Sequence, residues 1–323
     1  MEVARPGPRF KMSQTLMTRL LLLAISLLCL PAPCRAGERF NLDEIAPGVL
    51  AHAGQIAMMS RENKGDIANL GAIVGEDAVA VVDAGGSRIE GEAFLAALKA
   101  RTTKPIRYVI ATHAHPDHIF GVSAFVAEGA VFVAHKKLPR SLSARGEHYL
   151  SSFREAMGDA LDGTTLVSPT VTVEKETTLD LGGRRIALRA WPPSHSDCDL
   201  TVLDEKTGTL FAGDLLFMRH VPVVDGSLLG FLAVADDLAK IPAHRVVPGH
   251  GPLVAPWPQA LDDERAYLQR LTADLRAAIK KGESVAPTAR RAGESERSKW
   301  SLFDDYNGRN ATAGFAELEW EGP

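Results

Sequence analysis

The chain has 323 residues, of which 46% are hydrophobic and 24% are charged, and its formal net charge is −4. This composition is typical of a globular protein with one large domain or two small ones. Because the overall charge is acidic and no basic tract occurs, the composition argues against a nucleic-acid partner, whose phosphates need clustered Lys and Arg.

Residues 1–36 have the layout of a secretory signal. A basic start that includes Arg5 and Arg19 leads into the apolar run 20–30, and small residues then indicate cleavage after Ala36. The run is too short for a comfortable membrane span, so we expect an exported, periplasmic protein whose mature chain has no stable membrane span. An uncleaved N-terminal anchor is the alternative. Cleavage would leave Cys198 as the one cysteine, without an internal disulfide, and a net charge of −8.

Short apolar or alternating segments that stop at glycine predict strands, and longer amphipathic segments predict helices. We predict strands over 48–54, 68–75, 78–86, 106–115, 131–135, 170–183, 184–191, 200–214 and 245–251. We predict helices over 87–101, from Asp117 onward, over 138–162 and over 262–281. In the helix over 87–101, Ile89, Phe94, Leu95 and Leu98 share one face.

The strands come in two groups that are separated by helices, which favours two packed sheets with helices outside. We therefore predict an α/β domain over residues 37–282, built as an αββα sandwich. Residues 283–323 form a polar tail that ends with Trp300, Phe303, Tyr306, Phe315 and Trp320. Five aromatic residues are many for a disordered end, so we expect this tail to pack on the domain.

The segment THAHPDH at 112–118 carries three histidines and an aspartate. If the strand continues to His115, then His113 and His115 point the same way, because strand side chains alternate. Pro116 turns the chain, and Asp117 and His118 begin the next helix. Neutral imidazole and carboxylate are ligands that suit zinc, so this segment predicts a metal site.

Further candidate ligands follow other predicted strands. His195 comes after the strand over 184–191, Asp214 ends the strand over 200–214, and His250 ends the last strand. Strand ends at one edge of a sheet lie close together, so these side chains can meet the 112–118 segment. The five other histidines lack this setting and are interpreted as surface or core residues: His52, His135, His148, His220 and His244.

This ordered set of motifs, from H-x-H-x-D-H to PGHG, resembles the metallo-β-lactamase-fold hydrolase superfamily over residues 40 to about 255. The resemblance implies an αββα sandwich of two mixed sheets with two zinc ions per chain, or iron or manganese, at its edge. One ion would be held by His113, His115 and His195, and the other by Asp117, His118 and His250. Asp214 would bridge both ions. Asp83 would orient the histidine loop, although a plain turn residue is the alternative.

The activity implied is hydrolysis by a metal-bridging hydroxide that attacks the acyl carbonyl of an ester, lactone, thioester or lactam. Asp117 would also orient the hydroxide, and the G-x-S-x-G elbow of serine hydrolases is absent from the sequence. Asp at position 214, where one lactamase subclass carries Cys, is similar to the thioesterase and lactonase branches.

Four further residues are candidates near the substrate. Met58 and Met59 form an apolar flap or pack in the core. Arg219 binds a substrate carboxylate or, more simply, forms a surface ion pair. Cys198 lies three residues after His195, and a core position is favoured over a ligand or redox role.

The loops and the tail, including SHSDCDLTV and YNGRNATAGFAELEWE, resemble the quinoprotein relay system zinc metallohydrolases. This resemblance implies association with a periplasmic quinoprotein dehydrogenase. Two alternatives stay open. One is a mononuclear iron oxygenase of the same fold that acts on persulfides, with His113, His195 and Asp214 among its ligands. The other is a non-catalytic periplasmic binding or maturation partner.

Overall fold

The computed structural model describes residues 1–5, 7 and 40–321. The predicted signal segment therefore lies almost entirely outside the described residues. The unit that begins at Phe40 contains all the strands and helices discussed below. None of the described helices is both long enough and apolar enough to cross a membrane.

The first sheet has seven strands that neighbour one another in chain order, β1 to β7. Strands β1 to β4 pair antiparallel, and β4 to β7 pair parallel, so the sheet is mixed. Its strands are β1 (Asp43–Ala46), β2 (Val49–His52), β3 (Leu70–Val74), β4 (Val79–Val82), β5 (Ile106–Ile110), β6 (Val131–His135) and β7 (Val171–Val173).

The second sheet has six strands in the order β13-β12-β11-β10-β9-β8. It is also mixed, because β11 and β12 run parallel while its other neighbours run antiparallel. Its strands are β8 (Glu176–Asp180), β9 (Arg185–Ala190), β10 (Leu200–Asp204), β11 (Thr209–Phe217), β12 (Arg245–His250) and β13 (Ala255–Pro256).

Eight α-helices are described around these sheets. They are α1 (Arg88–Arg101), α2 (Pro116–Ile119), α3 (Val122–Val126), α4 (Leu138–Met157), α5 (Leu228–Leu238), α6 (Asp262–Lys280), α7 (Val285–Ala289) and α8 (Phe303–Leu318). Short 3₁₀ turns at Gly158–Leu161, Gln259–Leu261 and Glu294–Lys299 connect several of them.

The buried apolar side chains form three layers. The middle layer lies between the sheets and joins residues such as Ile73 and Ile110 of the first sheet to Leu188 and Phe211 of the second. One outer layer packs helices α1 to α4 on the first sheet, and the other packs α5, α6 and α8 on the second. The predicted αββα sandwich of two mixed sheets is therefore confirmed.

Helix α1 differs in detail from its prediction. Ser87 caps it by accepting a hydrogen bond from the Glu90 amide, which fixes where the helix begins. Phe94, Leu95 and Leu98 are buried as expected, but Ile89 is exposed, so its assignment to the apolar face was wrong. Glu90 is buried instead. Apolar spacing alone does not reveal that the first turn faces a polar cluster.

The predicted strands over 170–183 and 200–214 are each two strands, and two further boundaries that bear on the site differ from the prediction. Strand β5 ends at Ile110, so His113 and His115 lie in the loop before α2, and the strand-alternation argument for them was wrong. Strand β11 continues to Phe217, so Asp214 lies inside the strand rather than at its end. Register shifts against β12 on both sides of Gly213 make this part of β11 irregular, and a strand pattern does not reveal such irregularity.

The C-terminal residues carry α7, a 3₁₀ turn and α8. Trp300, Phe303 and Phe315 are buried in the outer layer on the second sheet, whereas Trp320 is exposed. Asn310 of α8 donates to the Pro222 carbonyl and to the Tyr267 hydroxyl. These contacts tie the tail to the loop after β11 and to helix α6.

Candidate metal centre

Asp83, which directly follows β4, fixes the conformation of the 112–118 segment. Asp83 has a φ of 58°, in the left-handed region that a non-glycine residue rarely adopts. Its carboxylate accepts hydrogen bonds from the Thr112 amide and hydroxyl, each at 2.8 Å. It also bonds His118 Nδ1 at 2.8 Å. One buried carboxylate therefore fixes both ends of the 112–118 segment.

A first set of donor atoms is formed by three imidazoles. His113 Nε2 lies 3.1 Å from His115 Nδ1, and His195 Nε2 lies 2.9 Å from the same Nδ1 atom. His113 and His115 converge although they do not alternate along a strand, because they present different ring nitrogens. Together with Asp214 they form a group whose ligand atoms all lie within 4.8 Å of one another.

A second set lies beside the first and contains Asp117, His118 and His250. Asp117 Oδ2 is 3.2 Å from His250 Nε2 and 3.5 Å from His118 Nε2. All three side chains are buried. The structure therefore brings together all seven residues that the sequence predicts as ligands.

Asp214 lies between the two sets with one oxygen facing each. Its Oδ2 is 3.7 Å from His113 Nε2 and 3.5 Å from His195 Nε2. Its Oδ1 is 3.2 Å from His118 Nε2 and 3.4 Å from His250 Nε2. A side chain at Gly249 would collide with Oδ1, so the glycine of the PGHG motif makes room for this carboxylate.

Hydrogen bonds behind the rings determine which nitrogens face the centre. His195 Nδ1 donates to the Val223 carbonyl at 2.8 Å, and His250 Nδ1 donates to the Ile67 carbonyl at 2.9 Å. In a neutral ring each bond leaves Nε2 unprotonated and directed at the site, which is the arrangement that metal-binding histidines show.

His115 is held by Asp225, which the sequence analysis missed. His115 Nε2 lies 3.2 Å from Asp225 Oδ2, and the same oxygen pairs with Arg145 of α4. The Asp225 amide in turn donates to the His195 carbonyl at 2.8 Å. The one available signal was an aspartate in the loop after β11, which is too common a feature to identify such a partner.

The electrostatics of the cluster favour a cation at its centre. Burial lowers the pKa of His113 well below its usual value. Burial acts the same way on His118 and His250, but nearby carboxylates, Asp214 foremost, outweigh it and raise both pKa values, that of His250 to about 9. The carboxylates that favour a proton on these rings favour a metal ion in the same way.

The residues present fit metal ions. His118 Nε2 and Asp214 Oδ1 are buried without a hydrogen-bond partner among the described residues, which is costly for polar atoms unless they bind a ligand. Ligands about 2.0–2.1 Å from a tetrahedral zinc lie about 3.3 Å apart. The separations of 2.9–3.7 Å within the two sets span that value.

One wall of the site is apolar and aromatic. Met59 is buried in the core, whereas Met58 is exposed, so the two methionines do not act together as a flap. The Tyr306 hydroxyl of α8 donates to the Met58 sulfur at 3.3 Å, and the Tyr306 ring centroid lies 5.1 Å from that of His220. The buried His220 ring lies 5.0 Å from that of His250, so this wall reaches the second set.

The other two candidates, Cys198 and Arg219, lie in contrasting surroundings. Cys198 is fully buried in the apolar layer on the first sheet, and burial raises its thiol pKa to about 12, as expected of a core residue. Arg219 is exposed, has a φ of 65°, and forms no ion pair within 4.0 Å among the described residues. Its main-chain carbonyl accepts a hydrogen bond from Ser301.

The family model for the metallo-beta-lactamase superfamily matches residues 64–250, which contain all seven candidate metal ligands. The chain belongs to the metallo-beta-lactamase superfamily. Its described residues have the fold of this superfamily and carry His and Asp clusters suited to metal ions.

Similar proteins agree with this membership. A beta-lactamase-like protein 2 homolog from Caenorhabditis elegans is 23% identical over 202 residues, which cover 59% of each chain. The present chain thus spans less than two thirds of that relative. A metallo-beta-lactamase from Pontibacter korlensis has a TM-score of 0.58 at 18% identity, over 71% of this chain and 98% of its own. A stereoselective inverting sec-alkylsulfatase from Pseudomonas sp. has a TM-score of 0.68 at 17% identity, over 87% of this chain and 50% of its own.

Proposed function

We propose that this protein is a dinuclear zinc hydrolase that cleaves a small-molecule acyl substrate, an ester, lactone, thioester or lactam. The observation that carries the proposal is the position of Asp214, whose two carboxylate oxygens each face a separate, complete set of donors. A mononuclear enzyme has no need of the second set, whose three ligands are buried and preorganised.

Within this proposal, His113, His115 and His195 would hold one ion, Asp117, His118 and His250 would hold the other, and Asp214 would contribute to both. A pair of zinc ions supplies two functions, a lowered pKa for a bound water and polarisation of the scissile carbonyl. The protein supplies the orientation. Asp83, the Val223 and Ile67 carbonyls, and Asp225 fix the rings through hydrogen bonds of 2.8–3.2 Å.

Asp117 has a second role in the proposed reaction. Its Oδ2 lies against two ring nitrogens, and its side chain keeps 12% exposure, so it faces the open side of the site. That oxygen can accept a hydrogen bond from an attacking water and align it with the substrate carbonyl. On the substrate side, Met58 and Tyr306 offer a surface for the acyl group or leaving group, and the buried His220 packs against Tyr306.

The test is a substrate panel run on a sample whose metal content is measured. We expect at least two zinc ions per chain and turnover of at least one chromogenic ester, lactone, thioester or cephalosporin. One iron per chain with persulfide-dependent oxygen uptake would instead identify an oxygenase. No turnover, together with stable co-purification with a dehydrogenase, would identify a binding partner. Either of these results contradicts the proposal.

Sulfate-ester hydrolysis is the second candidate. The structural match to the sec-alkylsulfatase extends over 87% of this chain, compared with 71% for the metallo-beta-lactamase. The panel therefore includes a primary and a secondary alkyl sulfate. Turnover of these but of no acyl compound would keep the dinuclear site and replace the acyl substrate.

We also propose export to the periplasm in the service of a quinoprotein dehydrogenase system. The support is the signal-like layout of residues 1–36 and the similarity of loops and tail to the quinoprotein relay group. N-terminal sequencing of periplasmic protein should begin at Gly37. A full-length N-terminus in the cytoplasm would contradict export, and pull-down with a tagged dehydrogenase tests the partner.

A further inference from the structure

A second cluster of potential metal ligands lies apart from the proposed centre. It contains His52 at the end of β2, Asp66 in the loop before β3, and Glu90 in the first turn of α1. One ligand atom from each residue lies within 4.8 Å of the other two. We propose that this cluster is a third, structural zinc site.

Both ring nitrogens of His52 face oxygen atoms that act as hydrogen-bond acceptors. Its Nδ1 lies 2.9 Å from the Asn41 carbonyl, and its Nε2 lies 2.9 Å from Asp66 Oδ1. Both neighbours are acceptors, so a neutral ring that donates from Nδ1 turns an unprotonated Nε2 towards a carboxylate. Either a second ring proton or a cation must therefore lie between the two.

Glu90 adds a third potential ligand to the cluster. It is only 4% exposed; its Oε2 accepts a hydrogen bond from the Gly86 amide at 2.7 Å, whereas its Oε1 has no partner in the described part of the chain. Burial and the nearby Asp66 raise the pKa of Glu90, so without a cation this carboxyl holds a proton. A divalent cation on neutral His52 and the two carboxylates would take the place of that proton and also make the charge zero.

The surroundings match those of the main centre. The Nδ1–H of His52 points at a main-chain carbonyl, as those of His195 and His250 do, which leaves Nε2 for a metal. One imidazole and two carboxylates suit zinc, and the 25% exposure of the Asp66 side chain gives a cation access from solvent. Phe40 stacks on His52 with ring centroids 3.9 Å apart and shields the ring.

This site would join the end of β2, the far end of the loop that follows it and the first turn of α1. The consequence reaches the main centre, since Ile67, the neighbour of Asp66, accepts the hydrogen bond that orients His250. The inference does not depend on the proposed function, because the two sites share no ligand.

The test counts zinc per folded chain after dialysis against excess zinc and removal of the free metal. Asp66→Asn and Glu90→Gln remove a charge and keep the side-chain size, and Glu92→Gln, an exposed carboxylate on the same helix, is the matched control. We expect wild type and Glu92→Gln to hold one equivalent more than the two cluster variants. Circular dichroism verifies folding, and Asp66→Asn carries the test if Glu90→Gln does not fold.

A second measurement keeps the two centres apart. The double variant His115→Ala/His250→Ala removes ligands of both main positions, and the third site should still bind one zinc. Wild type and Asp66→Asn with equal zinc content, or a folded double variant that binds none, would overturn the third site. A wild-type protein that holds the additional zinc but turns over no substrate would instead count against the proposed function alone.

Discussion

Two groups of buried charges in this protein differ in how completely the protein itself satisfies them. The Arg184–Asp204 pair is buried, with bonds of 2.8 and 2.7 Å from the guanidinium to the two carboxylate oxygens. Arg184 also donates to the Val74 carbonyl, and the Thr207 amide donates to Asp204. In the candidate centre, His118 Nε2 and Asp214 Oδ1 are equally buried but lack partners among the residues described.

This difference distinguishes a charged pair that stabilises the fold from charged groups that are available to bind a ligand. A saturated pair such as Arg184–Asp204 joins the turn before β9 to the end of β10 and has no capacity left for binding. In the centre, hydrogen bonds to Asp83, Asp225 and main-chain carbonyls fix the orientation of the histidine rings. The ring nitrogens that do not make these bonds converge on common points. Substitutions in the first group should therefore change stability, and those in the second should change activity.

The largest expected effect is loss of hydrolysis in His115→Ala. This change removes the ring that lies within 3.1 Å of both other imidazoles of the first set. We expect kcat/KM to fall by more than about 10³-fold, on the scale of losing a central electrostatic group, with the circular dichroism spectrum unchanged. His148→Ala, an exposed histidine on α4, is the control. Full activity in His115→Ala would show that the proposed mechanism is wrong.

Next in size is the effect of Asp204→Ala on stability. Removal of one partner leaves the Arg184 charge buried and unpaired, so we expect a loss of about 3 kcal/mol in the free energy of unfolding. Activity per folded molecule should not change. Urea denaturation measured beside activity tests both statements, and a large activity loss in the folded variant would erase the distinction between the two groups.

The same pair predicts a pH effect. Although burial opposes ionisation, Arg184 and Thr207 hold the pKa of Asp204 below its usual value of 3.8. A lowered folded-state pKa stabilises the protein above 3.8, and this contribution is lost as the pH falls through the folded-state value. Urea midpoints between pH 6 and pH 3 should thus fall more steeply for wild type than for Asp204→Ala. Parallel profiles would contradict the assignment.

A smaller effect is expected from Asp83→Asn. The amide cannot accept all three hydrogen bonds that the carboxylate receives from Thr112 and His118. Zinc affinity should weaken by about 10- to 100-fold, as for other residues that orient metal ligands, and added zinc should restore much of the activity. Glu76→Gln changes an exposed carboxylate shortly before β4, the strand that Asp83 follows, and is the control. Unchanged zinc affinity would mean that Asp83 does not orient the metal ligands and is only a turn residue.

The smallest effect is that of Cys198→Ala. The side chain is fully buried in an apolar layer, so loss of the sulfur should cost about 1 kcal/mol of stability. Activity and zinc content should remain those of wild type. A drop in zinc content would mean that the thiol takes part in metal binding after all.

The sequence by itself determined what lies close together along the chain. The H-x-H-x-D-H segment shows its chemistry directly, because four ligands in six residues have no common structural explanation. The ordered glycine-bounded strands gave the two-sheet sandwich, since alternation and burial along a strand follow from side-chain chemistry. Strand ends were less certain, and β5 and β11 each ended at a different residue from the one predicted.

Only the tertiary structure decided how distant segments meet. It placed the two oxygens of Asp214 against different donor sets and put Asp225 and Arg145 behind His115. It also joined His52, Asp66 and Glu90, of which sequence analysis treated His52 as an ordinary surface or core residue. These pairings depend on the packing of whole sheets and helices, and no local pattern records which loops that packing brings together.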